Sequence, residues 1–155
     1  MKRTAAALWF GNLRTGDGTL TTHSGALEQT PYSFAGRFDG SPGTNPEELL
    51  AAAHAGCFTM ATSASLTKAG FRPTRLSTQA AINFEQVAGL WTINASHLEL
   101  RAVVPEITPE RFAEIAADAK LNCPISRALK VDITLDAQLD ATRSPDATLS
   151  SDATP

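Results

Sequence analysis

Apolar and polar positions alternate in short runs over the first forty residues, with turn formers between them. Ala5 to Phe10 reads as a strand, Gly16-Asp17-Gly18 as a turn, and Thr19-Leu20-Thr21-Thr22 as a second strand, with Pro31 interrupting the run after it. The stretch from Ala5 to Phe38 is therefore expected to form an antiparallel meander. A turn-rich link, Asp39-Gly40-Ser41-Pro42-Gly43-Thr44, then leads to a strong helix start. Asn45 suits the N-cap, Pro46 the first helical position, and Glu48 stands three residues after the cap, as in a capping box. The helix is expected to run to Gly70, a good C′ residue. Its apolar and small residues cover nearly the whole circumference, which predicts a central, buried helix.

Two long strands come next in the pattern, Arg75 to Val87 and Leu90 to Val104, joined as a hairpin near Ala88-Gly89. Thr108-Pro109-Glu110-Arg111 opens a helix that is expected to reach about Lys120. A short helix starts at Cys123-Pro124, and Val131 to Leu139 alternates as a last strand. The order β-β-β-α-β-β-α-α-β predicts an α+β domain with antiparallel sheets around the long helix. Residues 1–140 are expected to form this single domain. Residues 141–155 are Ser, Thr, Asp, Ala, Pro and their like without apolar periodicity, which predicts a disordered tail with no chemistry.

Charge and composition narrow the partners. With 155 residues, a formal charge of −3 and few aromatics, the chain fits a soluble globular domain large enough to bury a full core. No block of like charge points to nucleic acid or a membrane surface, and no stretch is expected to approach the roughly 18 apolar residues of a membrane span. Met1-Lys2-Arg3 before Ala5 to Phe10 faintly imitates a signal peptide, but Gly11-Asn12 cuts the apolar run short. A cytoplasmic protein acting on a small molecule or another protein is the expectation.

Without an export signal, the two cysteines are not expected to form a permanent bridge, because a reducing cytosol keeps thiols free. Either both are small buried hydrophobes or they form a transient, catalytic disulfide. Cys57 lies within an apolar helix, where burial raises a thiol pKa, so its reactivity requires a nearby cation. Gly56 before it suggests close packing or access to the sulfur. Cys123 precedes Pro124 at a helix start, a position that favours a thiolate or serves as a simple cap. His54, three residues before Cys57, raises Cys/His catalysis or a metal site, yet no further ligand motif accompanies it. A hydrogen-bonded core histidine is the preferred reading. His23 and His97 receive no role.

Gly43-Thr44-Asn45-Pro46-Glu47-Glu48-Leu49-Leu50, then Ala53-His54-Ala55-Gly56-Cys57-Phe58, then Asn122-Cys123-Pro124-Ile125-Ser126 closely resemble the OsmC/Ohr family, the osmotically inducible and organic hydroperoxide resistance proteins. The resemblance covers roughly Leu8 to Leu139, and Pro31-Tyr32-Ser33-Phe34-Ala35-Gly36-Arg37-Phe38 looks like the OsmC branch. It implies an OsmC-like fold in an intertwined homodimer, and thiol-dependent reduction of organic hydroperoxides. By motif, Cys57 is the implied peroxidatic thiol and Cys123 the resolving thiol, with Arg37 and Glu47 completing the site. Arg37 would supply the cation that Cys57 needs, oriented by Glu47 through a bidentate pair. No cofactor or metal is implied. The disulfide would be reopened by a dithiol reductant, for which lipoylated proteins serve some relatives. The apolar neighbours Phe58 and Met60 favour alkyl or lipid hydroperoxides over hydrogen peroxide.

Glu47 and Cys57 stand ten residues apart on one expected helix, about 15 Å along its axis. A site that joins all four residues is therefore expected to combine Cys57 and Cys123 of one chain with Arg37 and Glu47 of its partner. The competing reading is a nonenzymatic redox sensor or binding protein using the same cysteine pair. A serine hydrolase is disfavoured, because no Gly-x-Ser-x-Gly elbow is present.

Overall fold

The computed structural model of the protein describes residues 1–140. The expected C-terminal tail lies outside the described residues. The chain divides into two compact units, Met1–Ala52 and a second that begins at Ala53.

In the first unit, β1 (Ala5–Phe10), β2 (Asp17–Thr22) and β3 (Thr30–Ser33) pair antiparallel in the order β1-β2-β3. Gly18 sits opposite both Trp9 and Tyr32, whose rings stand 5.2 Å apart. A Cβ on Gly18 would lie 2.2 Å from the Leu8 carbonyl oxygen, so this crossing of strands admits no side chain there. The meander ends earlier than its expected limit at Phe38. Ser33, in extended conformation, accepts a hydrogen bond from the Gly36 N–H at 2.9 Å and so caps a short helix, α1 (Phe34–Phe38). The chain then returns to β3. Gly43 has φ +126°, and a Cβ on it would stand 2.8 Å from the Pro31 carbonyl oxygen, which also accepts from the Thr44 N–H at 3.1 Å.

The long helix α2 spans Pro46–Lys68. Its start is the one expected from sequence, since Asn45 Oδ1 accepts from the Glu48 N–H at 2.8 Å. The Glu48 carboxylate does not close a full capping box but accepts from the Thr44 hydroxyl at 3.0 Å. At the other end Gly70 has φ +91°, with Phe71 N–H donating to Leu66 C=O at 2.9 Å and Gly70 N–H to Thr67 C=O at 3.1 Å. These two bonds are the Schellman pair that stops a helix.

In the second unit, β4 (Arg75–Val87) and β5 (Leu90–Val103) form the expected hairpin. Ala88 and Gly89 both take positive φ, 51° and 81°, as a two-residue turn matched to strand twist requires. The last strand, β6 (Asp132–Leu139), pairs with β5 in parallel, which corrects the expectation of purely antiparallel sheets. Two helices, α3 (Pro109–Asn122) and α4 (Pro124–Ala128), carry the chain across between them, and a crossover of that length permits parallel pairing. Thr108 caps α3 as expected, accepting from the Arg111 N–H at 3.2 Å.

Leu98, Leu100 and Ala102, alternate residues of β5, are fully buried with Phe58 and Leu66 of α2 and with Phe112, Ala116 and Ala119 of α3. Within this unit both helices thus cover one sheet face, a two-layer arrangement. α2 is the long central helix expected, and part of its circumference is covered within the chain. Its buried residues, His54, Phe58, Thr62 and Leu66, recur every four positions and form one stripe, while Gly56 is exposed and Met60 is 76 % exposed. A helix laid on one sheet face has a single stripe covered. A Cβ on Gly56 would meet nothing within 4 Å, so close packing within the chain does not explain that glycine. By length and composition α2 would suffice to cross a membrane, which corrects the expectation that no stretch approaches a span. Its stripe packs on a sheet and carries two hydrogen-bonded polar residues, His54 and Thr62.

Candidate active site

The first unit contributes a charged pair. Arg37 lies in the last turn of α1 and Glu47 in the first turn of α2. Arg37 Nε donates to Glu47 Oε2 at 3.0 Å and Nη2 to Oε1 at 2.5 Å, a two-pronged contact that sets the plane of the guanidinium. The Arg37 guanidinium also lies 5.6 Å from the Phe38 ring centre. The Arg37 side chain is 34 % exposed and that of Glu47 12 %, so the pair is partly open to solvent. Such pairs typically contribute about 0–1 kcal/mol, and orientation is their main product.

The second unit contributes the thiols. Both are free: Cys57, on α2, is partly exposed, whereas Cys123, between α3 and α4, is wholly buried. The two are close enough to influence each other's ionisation. Burial pushes the Cys57 thiol up, the Ile125 N–H draws it down less, and the neighbouring Cys123 pushes it further up. At Cys123 burial is again the largest single influence and raises the thiol. The N–H and hydroxyl of Ser126, the Cys57 thiol and the Ile125 N–H together outweigh it, and the net displacement is downward. The two thiols titrate as a coupled pair, so the first proton lost belongs to both. Partly exposed Cys57 is pushed toward the thiol form by its own surroundings. A cation brought to it would draw its pKa down.

His54 adds a third polar group inside the same unit. It is fully buried, with Nδ1 2.8 Å from Ser96 Oγ on β5 and Nε2 2.9 Å from Ser126 Oγ on α4. Burial lowers its pKa, so it is neutral near pH 7. Among the described residues, no buried side-chain nitrogen or oxygen lacks a hydrogen-bond partner, and no group of three or more His, Cys, Asp or Glu could hold a metal ion. His97 meets the Thr134 hydroxyl at 2.7 Å on the exposed side of β5. Phe58 lies in the core and Met60 is exposed, so the two apolar neighbours of Cys57 in sequence diverge in space.

The profile of the OsmC-like protein family matches residues 38–138, well over half of the chain. The chain belongs to the OsmC-like protein family. Peroxiredoxin OsmC of Escherichia coli (strain K12) is 47 % identical over 133 residues, covering 86 % of this chain and 93 % of that protein. The organic hydroperoxide resistance protein of Xanthomonas axonopodis pv. citri (strain 306) is 32 % identical over 109 residues, 68 % of this chain and 73 % of that protein. Among solved structures, an OsmC-like protein of unknown function from Vibrio cholerae superposes with a TM-score of 0.73 at 15 % identity, covering 89 % of this chain and 99 % of that one, which shows the fold. The organic hydroperoxide resistance protein OhrB of Bacillus subtilis gives 0.65 at 25 % identity, covering 87 % and 98 %. Glu47, Cys57 and Cys123 lie inside the family match, and Arg37 stands one residue before it.

Of the four site residues expected from sequence, the structure brings Arg37 to Glu47 and Cys57 to Cys123. Ser96 and Ser126, the partners of His54, were not anticipated. Ser126 carried a local signal, since it stands three residues after Cys123 at a helix start, where a residue's polar groups turn back toward the cap. Ser96, 42 residues from His54, carried none.

Proposed function

We propose that this OsmC-like protein is a thiol peroxidase that reduces organic hydroperoxides to alcohols in defence against peroxide stress, acting in the cytoplasm as a homodimer. The observation that carries the reading is a partly exposed thiol acting on a fully buried one, in a chain 47 % identical to a peroxiredoxin. The Cys57 thiolate attacks the terminal oxygen of the hydroperoxide. The O–O bond breaks, the alkoxide leaves and is protonated to the alcohol, and Cys57 becomes a sulfenic acid. Cys123 then attacks the sulfenic sulfur, and the S–O bond breaks to release hydroxide, which leaves as water after protonation. A dithiol, a lipoylated protein for example, reopens the disulfide and is itself oxidised.

Arg37 is the proposed cation for Cys57, held in plane by Glu47. Since Glu47 and Cys57 share α2 and stand about 15 Å apart along it, we assign the pair to the partner chain, with residues 1–140 of each chain acting as one domain. The uncovered face of α2 around Gly56 and Met60 supports a second copy lying there.

Steady-state assay with an organic hydroperoxide, hydrogen peroxide as comparator and dihydrolipoamide or thioredoxin as reductant tests the reading. Continuous consumption is expected, lost in Cys57→Ser. Cys123→Ser should undergo one oxidation and then over-oxidation of Cys57, seen by intact mass. A single oxidation of the parent protein without turnover would favour a redox sensor, and undiminished turnover in Cys57→Ser would overturn the assignment.

A further inference from the structure

The fork on Glu47 fixes the Arg37 guanidinium in one plane and leaves it a hinge. Two parallel hydrogen bonds resist motion within that plane, but a guanidinium can still fold about the line that joins the two carboxylate oxygens. The Phe38 ring bears on this hinge, since the Arg37 guanidinium carbon stands over it at 5.6 Å from its centre. The helix that carries both residues is weak support by itself: α1 has five residues, with Gly36 among them. The Phe38 ring meets the ring of Phe34, one helical turn earlier, with centres 4.5 Å apart and planes tilted by 40°.

Phe34 is in turn met from outside the helix. The Arg14 guanidinium carbon stands over the Phe34 ring, 6.0 Å from its centre. Arg14 belongs to the link between β1 and β2, and that link is closed on Asn12. Asn12 Oδ1 accepts from the Arg14 and Thr15 N–H groups at 3.0 and 3.1 Å, and its Nδ2 donates to the Thr15 hydroxyl at 2.7 Å. The Asn12 carbonyl accepts from the Gly16 N–H at 2.8 Å. An asparagine bonded in this way fixes the turn locally. A stack of guanidinium, ring, ring and guanidinium therefore runs from the β1–β2 turn to Arg37, all of it inside the first unit.

We propose that Arg14 and Phe34 are positioning residues for Arg37: the stack they begin holds the Phe38 ring against the Arg37 guanidinium and keeps that cation, on its Glu47 hinge, in the orientation that meets the thiolate. Neither residue takes part in the bond changes. Their effect lies in placement, because a displacement of about 1 Å in a group that stabilises charge can lower a rate many-fold. The consequence for turnover rests on the peroxidase reading, whereas the geometry of the stack does not.

The direct measurement is the order parameter of the Arg37 Nε–H bond, from nitrogen-15 relaxation of the full chain. A locked group approaches about 0.85 and a flexible one falls below about 0.6. Phe34→Ala and Arg14→Ala should each lower it, whereas Phe34→Tyr and Arg14→Lys, which keep the ring and the cation, should hold it near the parent value. With an organic hydroperoxide, kcat/KM should fall about two- to fivefold in Phe34→Ala and in Arg14→Ala, the factor that one exposed contact of this kind supports. In an Arg37→Ala background the same two changes should have no further effect on the residual rate, as required of residues that act through Arg37. Parent-like order and parent-like kcat/KM in Arg14→Ala, a change at an exposed residue, would overturn the proposal even where Phe34→Ala fails to fold. A further loss of the same factor in the Arg37→Ala background would overturn it too, since the two residues would then act elsewhere. If the parent protein consumes no hydroperoxide, the peroxidase reading fails, while the Arg37 order parameter still decides the part played by the stack.

Discussion

Arg37 and Glu47 meet near the surface of the first unit as full charges, whereas the second unit keeps the Cys123 thiol, an imidazole and two hydroxyls inside, the imidazole paired at both nitrogens, with the Cys57 thiol partly exposed beside them. The contrast arises from solvation. A guanidinium left partly in water avoids most of the desolvation cost of an ion, and its fork on a carboxylate fixes direction. Neutral polar groups can be enclosed, provided none is orphaned, and enclosure strengthens each hydrogen bond among them. The first region can therefore lose its chemistry with little loss of stability. In the second, chemistry and folding are joined, because the stripe that carries His54 also carries Phe58 and Leu66 into the core.

The sharpest way to break this division is to ask whether the two regions of one chain must serve each other. Homodimers of Cys57→Ser and of Arg37→Ala should each be nearly inactive. Mixed dimers of the two would contain one intact site, formed by the cysteines of the arginine variant and the arginine of the cysteine variant, and should recover up to about half of the parent activity if arginine acts across a twofold axis. Mixed dimers as inactive as their parents, with wild-type mixtures active, would place the whole site in one chain.

A smaller but cleaner contrast is in stability. Phe58→Ala removes a fully buried ring and should cost about 3–5 kcal/mol in denaturant unfolding, while Arg37→Ala should cost about 0–1 kcal/mol. Similar losses at both positions would show that the charged pair is structural after all.

The smallest expected effect is a pH dependence. Burial lowers the His54 pKa below its ordinary value of 6.5, so the unfolded chain takes up a proton there before the folded one does. The stability that this group contributes is complete above about pH 6.5 and declines as pH falls below it, by at most about 1.4 kcal/mol per pH unit for one proton. His54→Gln should remove this component of the acid limb, measured as unfolding free energy against pH beside the parent. An unchanged limb in His54→Gln would show that other groups govern the acid response.

Those elements whose signals are local were legible from the chain alone. Asn45-Pro46, Thr108-Pro109 and Gly70 start or stop helices through hydrogen bonds within a few residues, and each does so in the structure. The turn at Ala88-Gly89 is equally local. Ser33 carried a local cap signal too, but the apolar run around it read as strand, and the capped helix took precedence. The two cysteines and the Arg37/Glu47 pair were legible through resemblance to a family, since spacing alone left both thiols open to a bland reading.

Tertiary structure alone decided the rest. Whether β6 runs parallel to β5 depends on how far the crossover reaches, and nothing within Val131 to Leu139 records direction. The faces of α2 looked alike because small and apolar residues surround it, and the sheet selected His54, Phe58, Thr62 and Leu66 as the covered stripe. Ser96 and Ser126 lie 42 and 72 residues from His54, a separation at which a chain carries no periodic signal. The opposite directions in which the Cys57 and Cys123 thiols are displaced likewise depend on placement in three dimensions.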